Sequence, residues 1–477
     1  MATLATGSTA EVRGTLTRHG YGLDKATLGD AVVAALKKEL TVSPKVNPNV
    51  GYGNAAVPTY PVFLESDKRF YLPRALGLSR YGAPAKDAIG QGQDALGLAF
   101  AANQELRPAQ REAVAAFAVA AADPRKRGGM IVVGCGGGKT VMAIHIACSL
   151  GKRTLIVAHK AFLLEQWRER LAQYAPTASV GIIKQAKVDV EGRDVVLASL
   201  QSLAMREYAQ EALAGFGLVV IDECHHVAAE VFSRALPKIT SAVALGLSAT
   251  PDRKDGLSRV IEWFLGPPCY VGERRTDSTV EVRRIPFVQP KAEGGGTLEG
   301  DGTYGTEHMI GYGRTPRRNT ARMVNDVAAC GSRNAFLVKS LVEAMAAEPE
   351  RRALVLSERR EHLKDLERRL RAAGFVETQD IGYYVGGMKQ AALATAAEAR
   401  ILLATYQMAS EAMDVPGLTM LLMASPFGDV NQSVGRVRRR AGLAIVIDVL
   451  DDYGHFINMS GRRARWYRAE KFVVVNK

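Results

Sequence analysis

The chain has 477 residues, 47% of them hydrophobic, which is enough for two or three domains that each bury their own core. Lysine and arginine number 62 against 49 aspartate and glutamate residues, and the net charge of +13 favours a polyanionic partner, with nucleic acid as the first candidate. The five cysteines show no CxxC pair and no zinc-ligand spacing, and no apolar stretch is long enough to cross a bilayer, so we expect a soluble intracellular protein of the cytoplasm or nucleus with no membrane partner.

Residues 1–96 form the first predicted region. They contain turn signals, including Ser43-Pro44, Asn47-Pro48 and Gly51-Tyr52-Gly53, and they precede the first motif of the nucleotide site. We expect a small N-terminal accessory domain there.

From about Leu106 onward, apolar runs typical of strands alternate with helical patterns, which predicts parallel sheets flanked by helices and therefore an α/β fold. The first series of predicted strands is Met130–Val133, Thr154–Ala158, Asp194–Ala198, Leu218–Asp222 and Ala242–Leu247. The second series is Ala353–Ser357, Ile381–Val385, Arg400–Ala404, Met420–Ala424 and Ala444–Val449. Because a Gly-rich stretch at 292–313 separates them, we predict a first lobe at 97–285, a connection at 286–330 and a second lobe at 331–477.

A run of small residues, 134–138, follows the first of these strands and leads into Lys139 and Thr140. This pattern is typical of a phosphate-binding loop, in which backbone N–H groups surround a triphosphate, Lys139 contacts the outer phosphates and Thr140 offers a hydroxyl to Mg²⁺. The glycines expected to line the phosphates are Gly136, Gly137 and Gly138. The full pattern has glycine where this sequence has Val133. The loop predicts nucleotide binding and hydrolysis, with ATP and Mg²⁺ as cofactors.

Polar side chains follow the next two predicted strands. His159 and Lys160 come directly after one strand, and Ser199 and Gln201 come after the other. N–H and hydroxyl groups at such strand ends can hold the phosphates of a nucleic-acid strand without reading its bases, so we expect binding to be largely independent of base sequence. A helix cap or a turn is the alternative interpretation of Ser199 and of its neighbour Ser202.

The strand at 218–222 is apolar until its last residue and is followed by a second carboxylate, Glu223. Such a strand belongs in the middle of a parallel sheet, and ligands bind at the carboxyl ends of these strands, so Asp222 is expected beside the phosphate loop. Phosphoryl transfer needs one carboxylate to hold the metal ion and a group to orient the attacking water, and Asp222 and Glu223 suit those two roles. An acidic pair that caps a helix is the alternative.

Four further segments complete the pattern, namely Leu106–Gln110, Gly246–Pro251, Ala404–Pro416 and Gln432–Arg439. Together with the segments above, they resemble the superfamily-two helicases, which are motors built from two RecA-like lobes. The resemblance implies an α/β fold with two tandem RecA-like lobes. Since only the first lobe carries a phosphate loop, it also implies a single nucleotide held between the lobes.

The resemblance implies roles for residues whose local patterns are not specific. Gln110, with Arg107 beside it, would contact the adenine, although Pro108 also fits the first turn of a helix. The residues implied to couple the nucleotide site to nucleic acid are His225, Ser248, Thr250 and Gln432. Thr405 would contact the nucleic-acid strand.

Two arginines of the last segment, Arg436 and Arg439, would stabilise charge on the transferred phosphoryl group when the lobes close. A solvated basic helix face is the alternative interpretation of this run.

Departures from the DEAD-box pattern indicate the branch of the family. Cys224 and His225 stand where DEAD-box RNA helicases have Ala and Asp, and Gln432 begins a motif that usually starts with His in those enzymes. The segments that resemble the XPB and UvsW group, and especially the helicases of phages and large DNA viruses such as the poxvirus transcript-release helicase, are Ala353–Leu363, Tyr384–Lys389, Thr15–Tyr21 and Tyr71–Arg74. The viral likeness adds the virion to the candidate compartments.

The predicted function is an ATP-dependent helicase or translocase that acts on single-stranded or duplex DNA, and the resemblance implies 3′ to 5′ polarity. One alternative is a duplex DNA translocase that releases RNA polymerase or transcripts, or remodels DNA, without separating strands. An RNA helicase and a non-catalytic nucleic-acid-binding scaffold are the others. The intact set of Lys139, Asp222, Glu223 and Arg439 argues against the scaffold.

The tail at 461–477 combines arginines with aromatic residues, namely Arg462, Arg463, Arg465, Trp466, Tyr467 and Arg468. We expect it to form the closing helix and strand of the second lobe. A surface that stacks bases and binds phosphates is the alternative.

Overall fold

The structure of the protein is a computed structural model that describes residues 13–44, 59–134, 136–226, 229–249, 256–272, 279–290, 303–310, 317–411, 413, 415, 417–438, 442–451 and 453–476. The chain divides into two compact units, Met1–Arg274 and Arg275–Lys477, and each contains one large, mainly parallel sheet. Among the described residues, no helix has both the length and the apolar character needed to cross a bilayer.

The sheet of the first unit has eight strands, of which one edge strand pairs in antiparallel orientation. In spatial order the strands are Lys187–Asp189, Val180–Lys184, Val195–Ser199, Thr154–Ala158, Phe216–Ile221, Ser241–Ser248, Gly128–Val132 and Pro268–Val271. All five strands predicted for this lobe are present and pair in parallel. Their carboxyl ends therefore meet along one edge, where the phosphate loop and the acidic pair begin.

An apolar layer covers each face of this sheet. On one face, Ile131, Ile156 and Val220 belong to a core formed with three helices, Pro108–Ala122, Lys139–Leu150 and Ala161–Tyr174. On the other face, Met130 and Val219 belong to a core formed with the helices Leu200–Met205, Ala229–Ala235 and Ser258–Leu265. Short 3-10 turns lie at Gln210–Leu213, Cys224–His226 and Leu236–Lys238. Strand residues alternate between the two faces, as the period of two in a strand requires.

The N-terminal region has a small sheet of its own, with the strands Leu64–Glu65, Arg69–Leu72, Gly20–Asp24, Thr15–Thr17 and Lys86–Asp87 in spatial order. The helices of this region are Lys25–Leu28, Asp30–Glu39 and Arg74–Tyr81, and a separate strand pair joins Thr41–Val42 to Tyr60–Pro61. Its buried residues Leu16, Tyr21 and Phe70 belong to the same apolar cluster as Met130 and Val219 of the large sheet. The region is therefore packed as part of the first unit.

Polar contacts reinforce this packing. The Arg74 guanidinium donates to the backbone carbonyl of Ser241 at 2.6 Å and to that of Ala242. Arg127 forms an ion pair with Asp87, whose Oδ2 lies 2.5 Å from Nη1. Both contacts join the N-terminal region to residues that begin strands of the large sheet.

The sheet of the second unit has seven strands, and all of its pairs are parallel. In spatial order they are Ile381–Tyr384, Ile401–Thr405, Ala353–Ser357, Met420–Met423, Ala444–Asp451, Val280–Phe287 and Val473–Asn476. Its helices are Thr320–Ala329, Gly331–Ala346, Arg360–Ala372, Gln390–Ala396, Tyr406–Glu411, Asn431–Val437 and Gly454–Ala469, with a 3-10 turn at Thr378–Asp380. The short strands Met309–Ile310 and Arg317–Arg318 form a separate antiparallel pair. The five predicted strands of the second series are all present.

The structure also differs from the sequence-based prediction. The strand Val280–Phe287 pairs with Ala444–Asp451 in the second sheet, so residues 280–285 do not belong to the sheet of the first lobe, to which we had assigned them. Much of the predicted connection, 291–302 and 311–316, lies outside the described residues. The tail does form the closing helix, Gly454–Ala469, and the edge strand Val473–Asn476, as expected.

Candidate nucleotide site and its link to the strand ends

The phosphate loop requires glycine for two different reasons. Gly136 and Gly138 have positive φ angles of 78° and 85°, in the left-handed region that favours glycine. In addition, a Cβ on Gly138 would lie 2.0 Å from Nε2 of Gln110. The loop then leads directly into the helix Lys139–Leu150, whose first turn presents backbone N–H groups of the kind that bind phosphate.

Val133, which replaces the first glycine of the full pattern, packs against this loop. A Cβ on Gly137 would lie 2.1 Å from Cγ1 of Val133. The isopropyl group thus occupies the space that a side chain at residue 137 would need. Valine at 133 is accommodated because residue 137 is glycine.

Arg107 and Gln110 both contact the loop. The Gln110 side chain accepts a hydrogen bond from the Arg107 backbone N–H at 2.9 Å, which caps the helix Pro108–Ala122, and its amide donates to the Gly137 carbonyl at 3.2 Å. The Arg107 guanidinium donates to the Gly136 carbonyl at 3.3 Å. Gln110 therefore both caps the start of its helix and contacts the phosphate loop. Its contact with adenine stays a prediction.

A chain of polar contacts runs from Lys139 to the end of the strand Ser241–Ser248. Lys139 is 9% exposed, and its Nζ lies 3.3 Å from Oε1 of Glu223 and 3.3 Å from the Val133 carbonyl. Oε2 of Glu223 lies 3.4 Å from Nδ1 of His225, and the same nitrogen lies 3.0 Å from the Ser248 hydroxyl. Glu223 and His225 thus lie between Lys139 and Ser248 in this chain of contacts.

Asp222 lies in the same site and is held by two donors. It is 8% exposed, its Oδ2 accepts the indole N–H of Trp167 at 2.9 Å, and its Oδ1 accepts the backbone N–H of Glu223 at 3.0 Å. Burial, with the neighbouring Glu223 carboxylate, raises the pKa of Asp222 to about 6, whereas the Trp167 hydrogen bond and the Lys139 charge oppose this rise. Glu223 has a φ of 44°, which is uncommon for a residue with a side chain. Such strain is often concentrated at functional sites.

Trp167 is the site residue that the sequence did not reveal. Its side chain is 2% exposed, and its indole N–H donates to Asp222. Its helix, Ala161–Tyr174, follows the strand Thr154–Ala158, which pairs with Phe216–Ile221. Knowledge of that strand pairing would have placed Trp167 near the acidic pair.

The oxygen atoms present fit a magnesium ion. Thr140 is the second residue of the helix that follows the loop, and Asp222 provides a carboxylate at a strand end beside Lys139 and Glu223. Hydroxyl and carboxylate oxygens, completed by phosphate and water, are the ligands that Mg²⁺ prefers.

The residues expected to contact nucleic acid occupy strand ends in both units. His159 and Lys160 follow Thr154–Ala158, and Lys160 is the residue before the next helix. Ser199 takes the cap position of the helix Leu200–Met205 without a capping hydrogen bond from its side chain, and Gln201 is exposed. Ser202 lies within that helix, and its hydroxyl accepts the Gln185 backbone N–H at 2.9 Å, a contact across 17 residues that is neither a cap nor a local turn.

The corresponding residues of the second unit lie at the ends of its strands and in a following helix. The Thr405 hydroxyl, at the end of Ile401–Thr405, accepts the Met408 backbone N–H at 3.4 Å. Gln432 and Arg436 lie on the helix Asn431–Val437, and Nε of Arg436 donates to the Ala409 carbonyl at 2.8 Å. Thr250 and Arg439 lie outside the described residues.

Comparisons with known proteins identify the family of the chain. A family model described as "Type III restriction enzyme, res subunit" matches residues 103–253. A protein of Acanthamoeba polyphaga mimivirus, named "Putative ATP-dependent RNA helicase L396", is 30% identical over 466 residues, which cover 96% of this chain and 86% of the relative. The chain belongs to the superfamily-two helicases.

Within these helicases the chain is of the XPB/UvsW-like kind that includes viral members. The "DNA 3'-5' translocase XPB2" of Sulfurisphaera tokodaii is 34% identical over 166 residues, or 35% of each chain. In fold, this helicase is similar to a solved fragment of a "putative HsdR subunit of a type I restriction enzyme" from Vibrio vulnificus, with a TM-score of 0.51, 18% identity and coverage of 78% of this chain and 68% of that one. The predicted fold of RecA-like lobes is confirmed.

Proposed function

We propose that the protein is an ATP-dependent helicase or translocase that moves along DNA with 3′ to 5′ polarity. The observation that carries the proposal is the chain of contacts from Lys139 through Glu223 and His225 to Ser248. A group that binds the outer phosphates is thereby linked to a second strand end of the same sheet. Such a link provides a physical path by which hydrolysis could alter the grip on nucleic acid.

The site residues have distinct roles in this proposal. Lys139 binds the outer phosphates. Glu223 orients the attacking water and accepts a proton from it. Thr140 and Asp222 would hold Mg²⁺. The bound ion would neutralise charge on the phosphates. Arg436 and Arg439 are proposed to add positive charge to the phosphoryl group during transfer.

DNA is the proposed track because the matched part of the chain is similar to a protein named a DNA 3′-5′ translocase. RNA is the competing track, since the mimivirus relative is named an RNA helicase. A second candidate function is translocation along duplex DNA that displaces RNA polymerase or transcripts without separating strands. The motor chemistry would be the same in each case.

The test is ATP turnover with single-stranded DNA, duplex DNA or RNA added separately. We expect stimulation by DNA, and stimulation by RNA alone would overturn the choice of track. Strand-displacement and stalled-transcript-release assays on the same preparation separate unwinding from duplex translocation. Sequence-independent binding predicts similar stimulation by DNA of different base composition.

The catalytic assignment is tested by Lys139→Ala and Glu223→Gln. Each is expected to lower stimulated turnover by about 100-fold or more, because general-base catalysis and phosphate binding are removed. Lys187→Ala and Glu211→Gln are matched controls, since both side chains are exposed in the same unit. Wild-type turnover in either site variant, with circular dichroism unchanged, would refute the assignment.

A further inference from the structure

The helix Gly454–Ala469 has one basic face that none of the roles above uses. Its buried face consists of Phe456, Ser460, Arg463 and Tyr467. The opposite face exposes Arg462, Arg465 and Arg468, spaced three residues apart, which we call the arginine ridge. Residues at this spacing lie near one another on a helix surface.

The charge of the ridge is not balanced by nearby acids. Residues 454–469 contain no aspartate or glutamate. Within the described part of the chain, no acidic side chain lies in ion-pair contact with any of the three ridge arginines. Together with burial, the charges of Arg462 and Arg318 lower the pKa of His455, as expected beside excess positive charge.

A second helix of the same unit shows the usual arrangement. On Arg360–Ala372, Arg368 and Arg369 form ion pairs with Asp365, and Arg371 forms one with Glu367. Three of the four arginines on that helix are therefore matched within about one turn, as is common on solvated helix faces. The lack of such matching on the ridge distinguishes it from an ordinary basic surface.

The buried face of the helix that carries the ridge is fixed to the sheet by polar contacts. Arg463 forms a buried ion pair with Asp448, with Nη2 and Oδ1 2.6 Å apart, and donates to the Phe427 carbonyl at 2.8 Å. The Tyr467 hydroxyl donates to the same aspartate at 3.1 Å. Because the backbone is fixed in this way, the ridge presents its guanidinium groups at a set spacing, over about 9 Å of helix axis.

We propose that the arginine ridge binds the sugar–phosphate backbone of nucleic acid, as a contact separate from the strand-end residues assigned above. A planar guanidinium group can donate two hydrogen bonds to two oxygens of one phosphate. Three arginines in a row complement the negative charges that repeat along a sugar–phosphate backbone. Gly461 and Ala469, on the same exposed face, are small, and a Cβ at Gly461 would meet nothing within 4 Å, so a backbone can approach closely. The choice of nucleic acid as the partner rests on the proposed function.

An acidic protein is the competing partner. Protein interfaces usually centre on a cluster of buried aromatic or large apolar anchors, whereas this helix offers beside the ridge one exposed isoleucine, Ile457, and the half-buried Trp466, which packs on Tyr467 and Phe472. Contacts made by arginine to phosphates alone are the pattern of sequence-independent nucleic-acid binding. The ridge therefore favours nucleic acid.

The experiment compares two triple variants of the full chain. One is Arg462→Gln with Arg465→Gln and Arg468→Gln, and the control is Lys364→Gln with Arg368→Gln and Arg371→Gln on Arg360–Ala372. Both remove three positive charges from one helix of the second unit. Thermal unfolding and circular dichroism are expected to stay close to the wild type in both, since the ridge side chains are exposed and the control side chains form surface ion pairs, which contribute little to stability.

Binding of fluorescent single-stranded and duplex DNA is measured without ATP over about 50 to 200 mM salt. The ridge variant is expected to bind at least about 10-fold more weakly at low salt, and its log–log salt slope for duplex DNA should fall by about 0.9 for each arginine that contacts a phosphate. The control variant should keep the wild-type slope. Equal slopes in the ridge variant and the wild type would overturn the proposal.

Two further readouts separate this proposal from the proposed function. If the wild type shows no nucleic-acid-stimulated ATP turnover while the ridge variant still loses binding, the motor assignment fails and the ridge stands. If turnover is stimulated but the ridge variant binds DNA normally, the ridge proposal fails alone. Loss of poly-glutamate binding with DNA binding unchanged would identify an acidic protein as the partner and also overturn it.

Discussion

At the scale of single residues, the sequence predicted which side chains gather at the candidate nucleotide site but not how they are held. Lys139, Asp222 and Glu223 were predictable because the loop pattern and the strand ending in carboxylates are local features. Trp167 was not, because its bond to Asp222 joins residues 55 apart in sequence. A contact of that kind depends on which strands are neighbours.

Trp167→Phe should therefore weaken the proposed magnesium site. The change removes the indole N–H that fixes Oδ2 of Asp222 while keeping an aromatic ring in the core. Residues that orient a metal ligand typically contribute about 10-fold or more to metal affinity, so the Mg²⁺ concentration that gives half-maximal ATP turnover should rise by about 10-fold. The measurement is a Mg²⁺ titration of the ATPase rate.

Trp263→Phe is the matched control, because Trp263 lies in the same unit and its ring packs against the Arg259 guanidinium. A Trp167→Phe protein with the Mg²⁺ dependence of the wild type would show that the hydrogen bond does not position the carboxylate.

At the scale of elements, apolar runs predicted five strands in each sheet, because internal parallel strands are buried on both faces. The strands that were missed have weaker local signals. Val280–Phe287 alternates apolar and charged residues and contains Pro286, and its place is set by pairing with Ala444–Asp451, more than 150 residues later. Val473–Asn476, the closing strand expected from the tail, is the edge strand next to it. Sheet membership of this kind is a long-range property.

The final helix should depend on its buried ion pair. Arg463→Ala leaves the Asp448 carboxylate, which is 0% exposed, with the more distant Arg284, whose Nε lies 3.9 Å from Oδ2, and loss of one member of a buried pair costs about 3–5 kcal/mol. We expect the free energy of unfolding of the second unit to fall by about that amount. Urea denaturation followed by the fluorescence of Trp466, which lies on the same helix, measures it.

The adjacent Arg462→Ala provides the control. Its side chain is exposed, so its effect on stability should stay within about 0.5 kcal/mol. Equal effects of the two substitutions would mean that the ion pair does not stabilise the helix.

At the scale of the whole molecule, the two-lobe organisation was predictable, whereas the status of the N-terminal region was not. The resemblance and the two series of strands indicated two lobes, and turn signals indicated a separate accessory domain. In the structure, Leu16, Tyr21 and Phe70 share one apolar cluster with the large sheet. Turn signals report where the chain bends, but they do not report which surfaces are buried together.

Arg74→Met should therefore destabilise the first unit as a whole. Its guanidinium bonds the carbonyls of Ser241 and Ala242, at the start of the strand that ends in Ser248. Hydrogen bonds from a charged group contribute about 1.5–3 kcal/mol each, so we expect a lower melting temperature and faster proteolysis within residues 59–96. Arg18→Met, at an exposed position of the same region, should leave both unchanged.

A chain that lacks residues 1–96 should expose the apolar face of the large sheet and aggregate. A soluble truncated protein with normal melting would instead show that the region is a tethered accessory domain.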